Sequence, residues 1–358
     1  MQKYWLAFSS TEEIDSSFIL RLYEHFGDIE KAYNCKDLSC IEGLSIKQAQ
    51  KFLKLRDKTD PDKILEYVQN RGIKFITFED PKYPNMLKNI ADPPAVIYYL
   101  GSLDICNLKR TLAIVGSRRA TGYAKDALKK IISGFAGTDM CIVSGLASGI
   151  DTTAHRGALD NGLKTIGVIA SGLNFVYPSA NKMLYEEIIN GNGAVISEYY
   201  PTFEALKFRF PQRNRIVSGL SYGTLVAEAS LNSGALITAN LTLEQGRELM
   251  CIPGLITNPN TQGIYKLIKN GATLITSYED VLEALRWEVT SKQISLFDIE
   301  TLPENEKLIY DALKIEEKSV DELSAITGLA TDNLLISLTT MELKGIIKQV
   351  KGDRYRIV

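Results

Sequence analysis

Residues 207–215 read KFRFPQRNR and interleave cationic with aromatic side chains. These nine residues hold four cations and no acid, in a chain whose formal net charge is −2. Cations neutralise phosphates, and aromatic rings stack on bases that are not hidden in a duplex. The stretch therefore predicts a local site for single-stranded nucleic acid. The alternative is that Phe208 and Phe210 belong to the core and that the arginines are solvated.

Two loops rich in glycine and serine each follow a short apolar run. GSRR begins at Gly116 after LAIV, and SGLASGID spans 144–151 after CIVS. Glycine allows close approach of the backbone, and the N–H groups at the start of a helix favour anions. Arg118 can add a charge-assisted hydrogen bond. Together with the basic stretch, the loops predict a phosphate site; the alternative is that their glycines only form tight turns.

The sequence lacks the residues that several classes of function require. Neither loop has the GxGxxG or Walker spacing, so we expect no dinucleotide cofactor and no ATP. The chain has two histidines and five scattered cysteines without a CxxC pair, so we expect no metal site. No apolar run approaches the length of a membrane span, and no signal peptide is recognised at the N-terminus. We therefore expect a cytoplasmic protein without a membrane partner.

Six short apolar runs must position these loops. Continuous apolar strands joined by helical crossovers indicate a parallel sheet covered on both faces. We predict an α/β fold with a Rossmann-like doubly wound sheet over 71–288, whose strand carboxyl ends carry the loops. Pro211 is expected to keep the basic stretch extended, with a helix starting near Gln212. The six predicted strands are 112–115, 141–144, 165–170, 194–197, 224–229 and 249–253.

The regions on either side of the sheet have other patterns. Residues 1–70 predict a helical domain of the SAM or helix–hairpin–helix type, with a chain reversal at Gly43 and a helix cap at Ser45. Residues 289–303 have the hydrophobic periodicity of neither a helix nor a strand, which predicts a linker. Residues 304–358 predict three helices and a hairpin, with its turn at residues 351–353, which together make a winged helix.

The motifs resemble those of the DNA-processing protein A family, also called Smf. The chain has its GSR loop at 116–118, its SGxAxGID loop at 144–151, its FPxRNR segment at 210–215 and its SGxLITA segment at 233–239. The resemblance implies a non-enzymatic protein that binds single-stranded DNA and helps to load the recombinase RecA on strands coated by single-strand-binding protein. It also implies a role in natural transformation and a homodimer formed through the Rossmann-like domain.

The resemblance also implies roles for individual residues. Arg118 and Lys207 would hold phosphates, and Phe210 would stack on a base. Arg213 and Arg215 would be further cations, unless one of them pairs with Glu228 or Glu198 inside the fold. The remaining residues of the implied phosphate pocket are Gly116, Ser117, Ser144, Gly145 and Gly149.

Two rival functions remain open at this point. Related Rossmann-like enzymes hydrolyse nucleotide N-glycosidic bonds. In this chain Glu228, or the pair Asp151 and His155, would have to supply the catalytic groups. The simpler interpretation is that Asp151 caps a helix and that His155 is structural. A transcription regulator would read DNA with the helix that starts near residue 331. Its start offers only Asn333 for base contacts, so we interpret the winged helix as a protein contact or a weak phosphate contact.

The predicted linker contains one further motif. Gln293–Phe297 reads QISLF and resembles the short QxxLF peptides that bind the bacterial sliding clamp. An extended segment could dock its adjacent apolar side chains, Leu296 and Phe297, in one pocket. The alternative is that these two side chains pack the linker onto the Rossmann-like domain.

Overall fold

The computed structural model describes residues 1–38, 41, 46–102, 104, 108–287, 302–314, 316–343, 346–350 and 353–357. The predicted chain reversal at Gly43 and the QISLF segment lie outside the described residues. The chain divides into two compact units, Met1–Glu288 and Val289–Val358. Within the described ranges, no helix is both long and apolar enough to cross a bilayer.

A nine-stranded sheet is the centre of the first unit. Its order is β1-β2-β6-β5-β4-β3-β7-β8-β9. The strands from β6 to β9 in this order pair in parallel, whereas β1 and β2 add an antiparallel edge. All six predicted strands and the doubly wound arrangement are confirmed; β1, β2 and β9 were not predicted. The strands are β1 (Lys74–Thr77), β2 (Val96–Gly101), β3 (Thr111–Val115), β4 (Cys141–Ser144), β5 (Lys164–Val168), β6 (Gly193–Ser197), β7 (Gly223–Val226), β8 (Glu248–Cys251) and β9 (Thr273–Leu274).

Helices precede the sheet and cover both of its faces. The central strands are fully buried because apolar residues of these helices pack against them. Short 3₁₀ turns lie at Ser179–Asn181 and Pro259–Thr261. The α-helices of this unit are α1 (Gln2–Ser9), α2 (Ser16–Phe26), α3 (Ile29–Asn34), α4 (Ile46–Arg56), α5 (Pro61–Asn70), α6 (Asn85–Lys88), α7 (Gly122–Ser133), α8 (Ile150–Asp160), α9 (Lys182–Asn190), α10 (Arg209–Gly219), α11 (Ala235–Glu244), α12 (Gln262–Lys269) and α13 (Tyr278–Ala284).

The N-terminal helices share a core with the sheet. Trp5, Phe8 and Leu22 are buried in the same apolar cluster as Tyr98 of β2. The Ser9 hydroxyl also lies 2.5 Å from the Tyr98 hydroxyl. The predicted boundary near residue 70 therefore does not separate two compact units. A helical region of this size buries little apolar surface by itself, and packing on the β2 edge supplies the missing contacts.

The second unit has the predicted winged-helix elements. Three helices enclose an apolar core that contains Ile309, Leu323 and Leu338. The two strands of the hairpin pair antiparallel, and a third short strand joins them in the order β10-β12-β11. The elements are α14 (Glu304–Leu313), β10 (Lys318–Ser319), α15 (Val320–Thr327), α16 (Thr331–Leu343), β11 (Ile347–Val350) and β12 (Arg354–Ile357).

Candidate functional site

A crevice lies at the point where the winding of the sheet reverses. From β3 the chain runs to β4, β5 and β6 on one side and then crosses to β7 on the other side. Loops at such a switch point diverge and leave room for a ligand. The crevice has a volume of about 520 Å³ and is lined by the loops after β3, β4 and β7 and by the start of α10.

The loop after β3 is clamped by its neighbours. The Ser117 amide donates to the Glu228 carbonyl over 2.8 Å, and the Ser117 carbonyl accepts from the Ile150 amide over 3.1 Å. The side chains of Arg118 and Arg119 stay exposed at the crevice. Among the described residues, neither side chain forms an ion pair. Two unpaired cations carried by a fixed loop make this edge of the crevice suited to an anion.

Glycines let the first two loops touch. Gly149 has φ = +80°, and a Cβ there would overlap the carbonyl groups of Ser117 and Arg118. A Cβ at Gly116 would lie 2.6 Å from Ile150 Cγ1, and one at Gly145 would lie 2.5 Å from Arg213 Nη1. Gly116 and Gly145 line the crevice. Gly149 does not, so its predicted place in the pocket lining is corrected to a position where the loops after β3 and β4 touch.

Ser144 does not face the crevice. It is fully buried, and its hydroxyl donates to the Ile114 carbonyl over 2.6 Å. The residue therefore joins β4 to β3 and has no hydroxyl hydrogen left for a ligand. Its predicted place in the pocket lining is corrected to a structural position below the loop.

The basic stretch is helical from Arg209 onward, which differs from the extended segment predicted. Helix α10 is Arg209–Gly219, and Pro211 lies in its first turn. The first turn of a helix has no internal acceptors for its N–H groups, so the proline removes nothing there. The expectation that Pro211 delays the helix to Gln212 was therefore wrong.

Phe210 meets Arg118 at the mouth of the crevice. The Arg118 guanidinium carbon lies 5.3 Å from the centre of the Phe210 ring, and both residues line the crevice. The ring is partly buried, so it is neither a core residue nor a free one. Lys207 precedes this helix; it is exposed, has no ion-pair partner among the described residues, and does not line the crevice.

The three arginines of α10 have partners inside the protein. Arg209 is 2% exposed; it donates to the Glu204 carbonyl over 2.5 Å and pairs with Glu12. Arg213 lines the crevice floor but is buried, and its Nη1 donates to the Gly145 carbonyl over 2.6 Å and to the Val168 carbonyl. Burial lowers the pKa of Arg213 to about 10.

Arg215 forms the internal ion pair that the sequence left open. Its Nη2 lies 2.6 Å from Glu198 Oε2, and its Nε lies 3.0 Å from Asp92 Oδ2. The side chains of Arg215 and Glu198 are 11% and 8% exposed. Arg215 does not line the crevice. Its predicted role as a further cation for DNA is therefore replaced by a role in holding the fold.

The residues considered for hydrolysis also have structural partners. Glu228 is buried and accepts from the Thr121 hydroxyl over 2.6 Å, which holds the start of α7. His155 is buried, and its Nδ1 lies 2.7 Å from Thr165 Oγ1. Asp151 lines the crevice floor, where burial raises its pKa although Arg213 opposes the shift. In the contacts described, none of these three residues is hydrogen-bonded to another as a nucleophile to its base.

The other wall of the crevice was not predicted from the residues. It is formed by residues 230–238 and includes the first turn of α11, where Ser233 Oγ accepts from the Ala235 amide over 3.3 Å. Its SGALITA sequence was predicted to matter only through the resemblance to the family. A signal was available, since serine and glycine before an apolar helix favour a helix start. Its place in the same crevice as Arg118 depends on the crossover to β7.

Comparison with known proteins decides the family. Residues 74–286 match the family model described as DNA recombination-mediator protein A, and residues 298–353 match the DprA winged helix domain. The chain belongs to this family. The resemblance inferred from the loop motifs is confirmed, and the winged helix is the one that is typical of the family.

Relatives extend over most of the chain. Protein Smf of Synechocystis is 32% identical, with 99% of this chain and 98% of the relative aligned. DNA processing protein DprA of Streptococcus pneumoniae is 40% identical over 74% of this chain and 91% of its own length. The X-ray structure of the pneumococcal protein has a TM-score of 0.67 at 37% identity and covers 79% of this chain and 98% of that one.

A second solved structure covers a smaller part of the chain. It is the DNA processing protein A of Helicobacter pylori, described for its single-stranded DNA binding mode. It has a TM-score of 0.54 at 30% identity, over 60% of this chain and 96% of its own.

Proposed function

We propose that this protein binds single-stranded DNA at the crevice and acts there as a non-enzymatic recombination mediator. The observation that carries the proposal is the contact between Arg118 and Phe210, which places an unpaired cation beside a partly exposed ring. The cation suits a phosphate and the ring suits a base, so one nucleotide can engage both.

The backbone around this pair favours a phosphate. The loop after β3 is fixed by its own hydrogen bonds, so the backbone that carries Arg118 needs little reordering when an anion binds. The first turn of α11 lines the same crevice, and the partial positive charge of a helix N-terminus adds to the attraction. Two further exposed cations, Arg119 next to Arg118 and Lys207 just before α10, would contact the flanking phosphates.

Single strands are favoured over duplexes for a steric reason. A duplex covers the faces of its bases, and a ring such as Phe210 can stack only on a face that is free. The contacts carry no hydrogen-bond readout of base edges, so we expect little sequence preference. The Helicobacter pylori relative, described for single-stranded DNA binding, supports the same ligand here.

The partners proposed for this function follow from the family. We propose that the protein helps to load RecA on strands coated by single-strand-binding protein, that it does so as a homodimer, and that it serves in natural transformation. The family name, DNA recombination-mediator protein A, is consistent with loading rather than with cleavage or ligation. No cofactor is required for this role.

The test is a titration of labelled oligonucleotides across a salt series. Single strands should bind more tightly than duplexes of the same length, and log affinity should fall against log salt with a slope of roughly −0.7 per phosphate contact. Equal affinity for both forms, or no dependence on salt, would contradict the proposal. RecA-dependent ATP hydrolysis on strands pre-coated with single-strand-binding protein should then rise when this protein is added.

A further inference from the structure

Beside Phe210 lies a second exposed aromatic ring, which the loop after β5 supplies. Tyr177 and Phe210 have ring centres 5.4 Å apart, with an angle of 62° between the ring planes. Tyr177 is 52% exposed, which is more than the partly buried Phe210. Arg118, Phe210 and Tyr177 thus form a continuous row that leads away from the crevice.

The row leaves Tyr177 as its most accessible ring. The Arg118 guanidinium already lies over the Phe210 ring. A base that stacks on Phe210 therefore shares this ring with a cation and with an aromatic neighbour. Tyr177 has only one ring neighbour, Phe210, among the described residues, and more than half of its surface is free.

The loop that carries Tyr177 is held at both ends. The Gly172 amide donates to the Phe203 carbonyl over 2.7 Å. On the far side, the buried Asn181 donates through Nδ2 to the Leu146 carbonyl over 2.8 Å, which ties this loop to the loop after β4. A ring on an anchored loop loses little conformational freedom when a ligand covers it.

We propose that Tyr177 is a second base-stacking ring, which holds the nucleotide next to the one on Phe210. The inference rests on the proposed binding of single-stranded DNA. Because the two rings are inclined by 62°, neighbouring bases stacked on them must splay apart. Bases in a duplex lie parallel and cannot do so, and Tyr177 therefore adds to the discrimination against duplexes.

The first test compares variants of the full chain on an oligothymidylate of about 12 nucleotides, within the range of such sites. Tyr177→Ala should weaken binding about 5-fold or more, as expected for one lost stack, with the salt slope unchanged. Tyr177→Phe and Tyr177→Trp should bind within about 2-fold of the unmodified protein, since stacking needs no hydroxyl.

Tyr222 provides the matched control. It is a partly exposed tyrosine whose ring meets Trp287 edge-on at 5.6 Å, and it directly precedes β7 at the opposite end of the strands from the crevice. Tyr222→Ala removes a similar ring from a similar contact, so it should leave affinity unchanged. Thermal unfolding of each variant checks that the fold is kept, and Tyr177→Leu replaces Tyr177→Ala if the alanine variant unfolds.

A double variant separates stacking from support of Phe210. If Tyr177 holds its own base, Tyr177→Ala should weaken binding further in a Phe210→Ala background. If Tyr177 only props Phe210, its loss should have no effect there, and the proposal falls. A 5-iodouracil oligonucleotide adds a direct readout, since photo-cross-linking should mark Tyr177 in the tryptic peptide 165–182.

The outcomes also separate this inference from the function on which it rests. If the protein binds single strands and Arg118→Ala weakens that binding, but Tyr177→Ala does not, only the role of Tyr177 is refuted. A cost of Tyr177→Phe as large as that of Tyr177→Ala refutes stacking too, because it assigns the effect to the hydroxyl. If the unmodified protein shows no preference for single strands, the proposed function and the inference fail together.

Discussion

The guanidinium of Arg118 lies over the ring of Phe210, 5.3 Å from its centre, although the two residues belong to a loop after β3 and to the start of α10. The contact orders both side chains before any ligand arrives, since a cation over a ring is attracted to it. Each side chain keeps a part of its surface exposed at the crevice. Two groups with different chemistry, one for phosphate and one for base, are thus presented together.

Replacement of Arg118 should weaken DNA binding through charge. Arg118→Ala should cost about 1.5–3 kcal/mol of binding free energy and make the salt slope shallower, because one charged hydrogen bond and one phosphate contact are lost. Arg118→Lys is the matched control, since it keeps the charge but loses the planar set of guanidinium N–H donors. Its salt slope should therefore stay near that of the unmodified protein. Anisotropy titrations at several salt concentrations measure both. An unchanged slope for Arg118→Ala would contradict the assignment.

Replacement of Phe210 should weaken binding without a change in charge. Phe210→Ala should cost roughly 1–3 kcal/mol, the range for one stacked base, at an unchanged salt slope. Phe210→Trp should retain most of the affinity. Because the ring is only partly buried, chemical denaturation should show a folded variant; global unfolding of Phe210→Ala would make the ring a core residue instead.

Gly149 should be essential for both stability and binding. An alanine there would have φ = +80° and a Cβ that overlaps the Ser117 carbonyl, so the loop after β3 must move. Gly162 is the matched control, because it has φ = +67° but an open space of 4 Å around the missing Cβ. Gly162→Ala should cost only the backbone strain, about 1–2 kcal/mol, and leave DNA affinity intact. Gly149→Ala should cost more in denaturant unfolding and should lose DNA binding; equal costs for the two variants would refute the packing argument.

Arg215 should affect folding rather than the electrostatics of binding. Arg215→Ala leaves Glu198 nearly buried without its partner, so the free energy of unfolding should fall by about 3–5 kcal/mol. The double variant Arg215→Ala, Glu198→Ala should recover part of this loss, since no buried charge remains unpaired. The salt slope of DNA binding should be unchanged in any variant that stays folded. If Arg215→Ala kept full stability but had a shallower salt slope of DNA binding, Arg215 would be a DNA contact after all.

His155 should make the protein less stable in mild acid. Thr165 Oγ1 donates to the Ile142 carbonyl over 2.9 Å, so His155 Nδ1 carries the proton toward Thr165 and the buried Nε2 has no partner. Burial, with the nearby Arg213, lowers the pKa of His155 to about 3. The unfolded chain takes up a proton below its ordinary pKa of about 6.5, and the folded chain does so only near the lowered value. Stability from this residue is therefore complete above about pH 6.5 and declines as the pH falls.

The decline should be on the order of 2 kcal/mol between pH 6.5 and 5, measured as the free energy of unfolding in denaturant. His155→Gln should flatten this part of the profile even if it lowers stability at every pH. His25→Gln is the control, because His25 is the one other histidine and lies exposed on α2. A profile that keeps its slope in His155→Gln would assign the acid sensitivity to other groups.

The sequence by itself determined the six strands from β3 to β8 and the location of the loops that follow them. Runs such as LAIV and CIVS are continuous and apolar because a parallel strand is covered on both faces, so they identify strands directly. The glycines at 116, 145 and 149 follow these strands, and the doubly wound topology places such loops at one edge. The cation–aromatic stretch and the family motifs could therefore be assigned to a crevice before any coordinates.

Only the tertiary structure decided which cations face that crevice. The arginines of this segment cannot be told apart by residue type. Arg213 donates to a carbonyl in the loop after β4 and to one at the end of β5, whereas Arg215 pairs with Glu198. Those partners come from distant parts of the chain, and the direction of each side chain depends on the helix that starts at Arg209. Tyr177 gave no signal because a single tyrosine in a loop has no pattern. Its place beside Phe210 follows from the packing of two strand-end loops, and local residue types do not encode that packing.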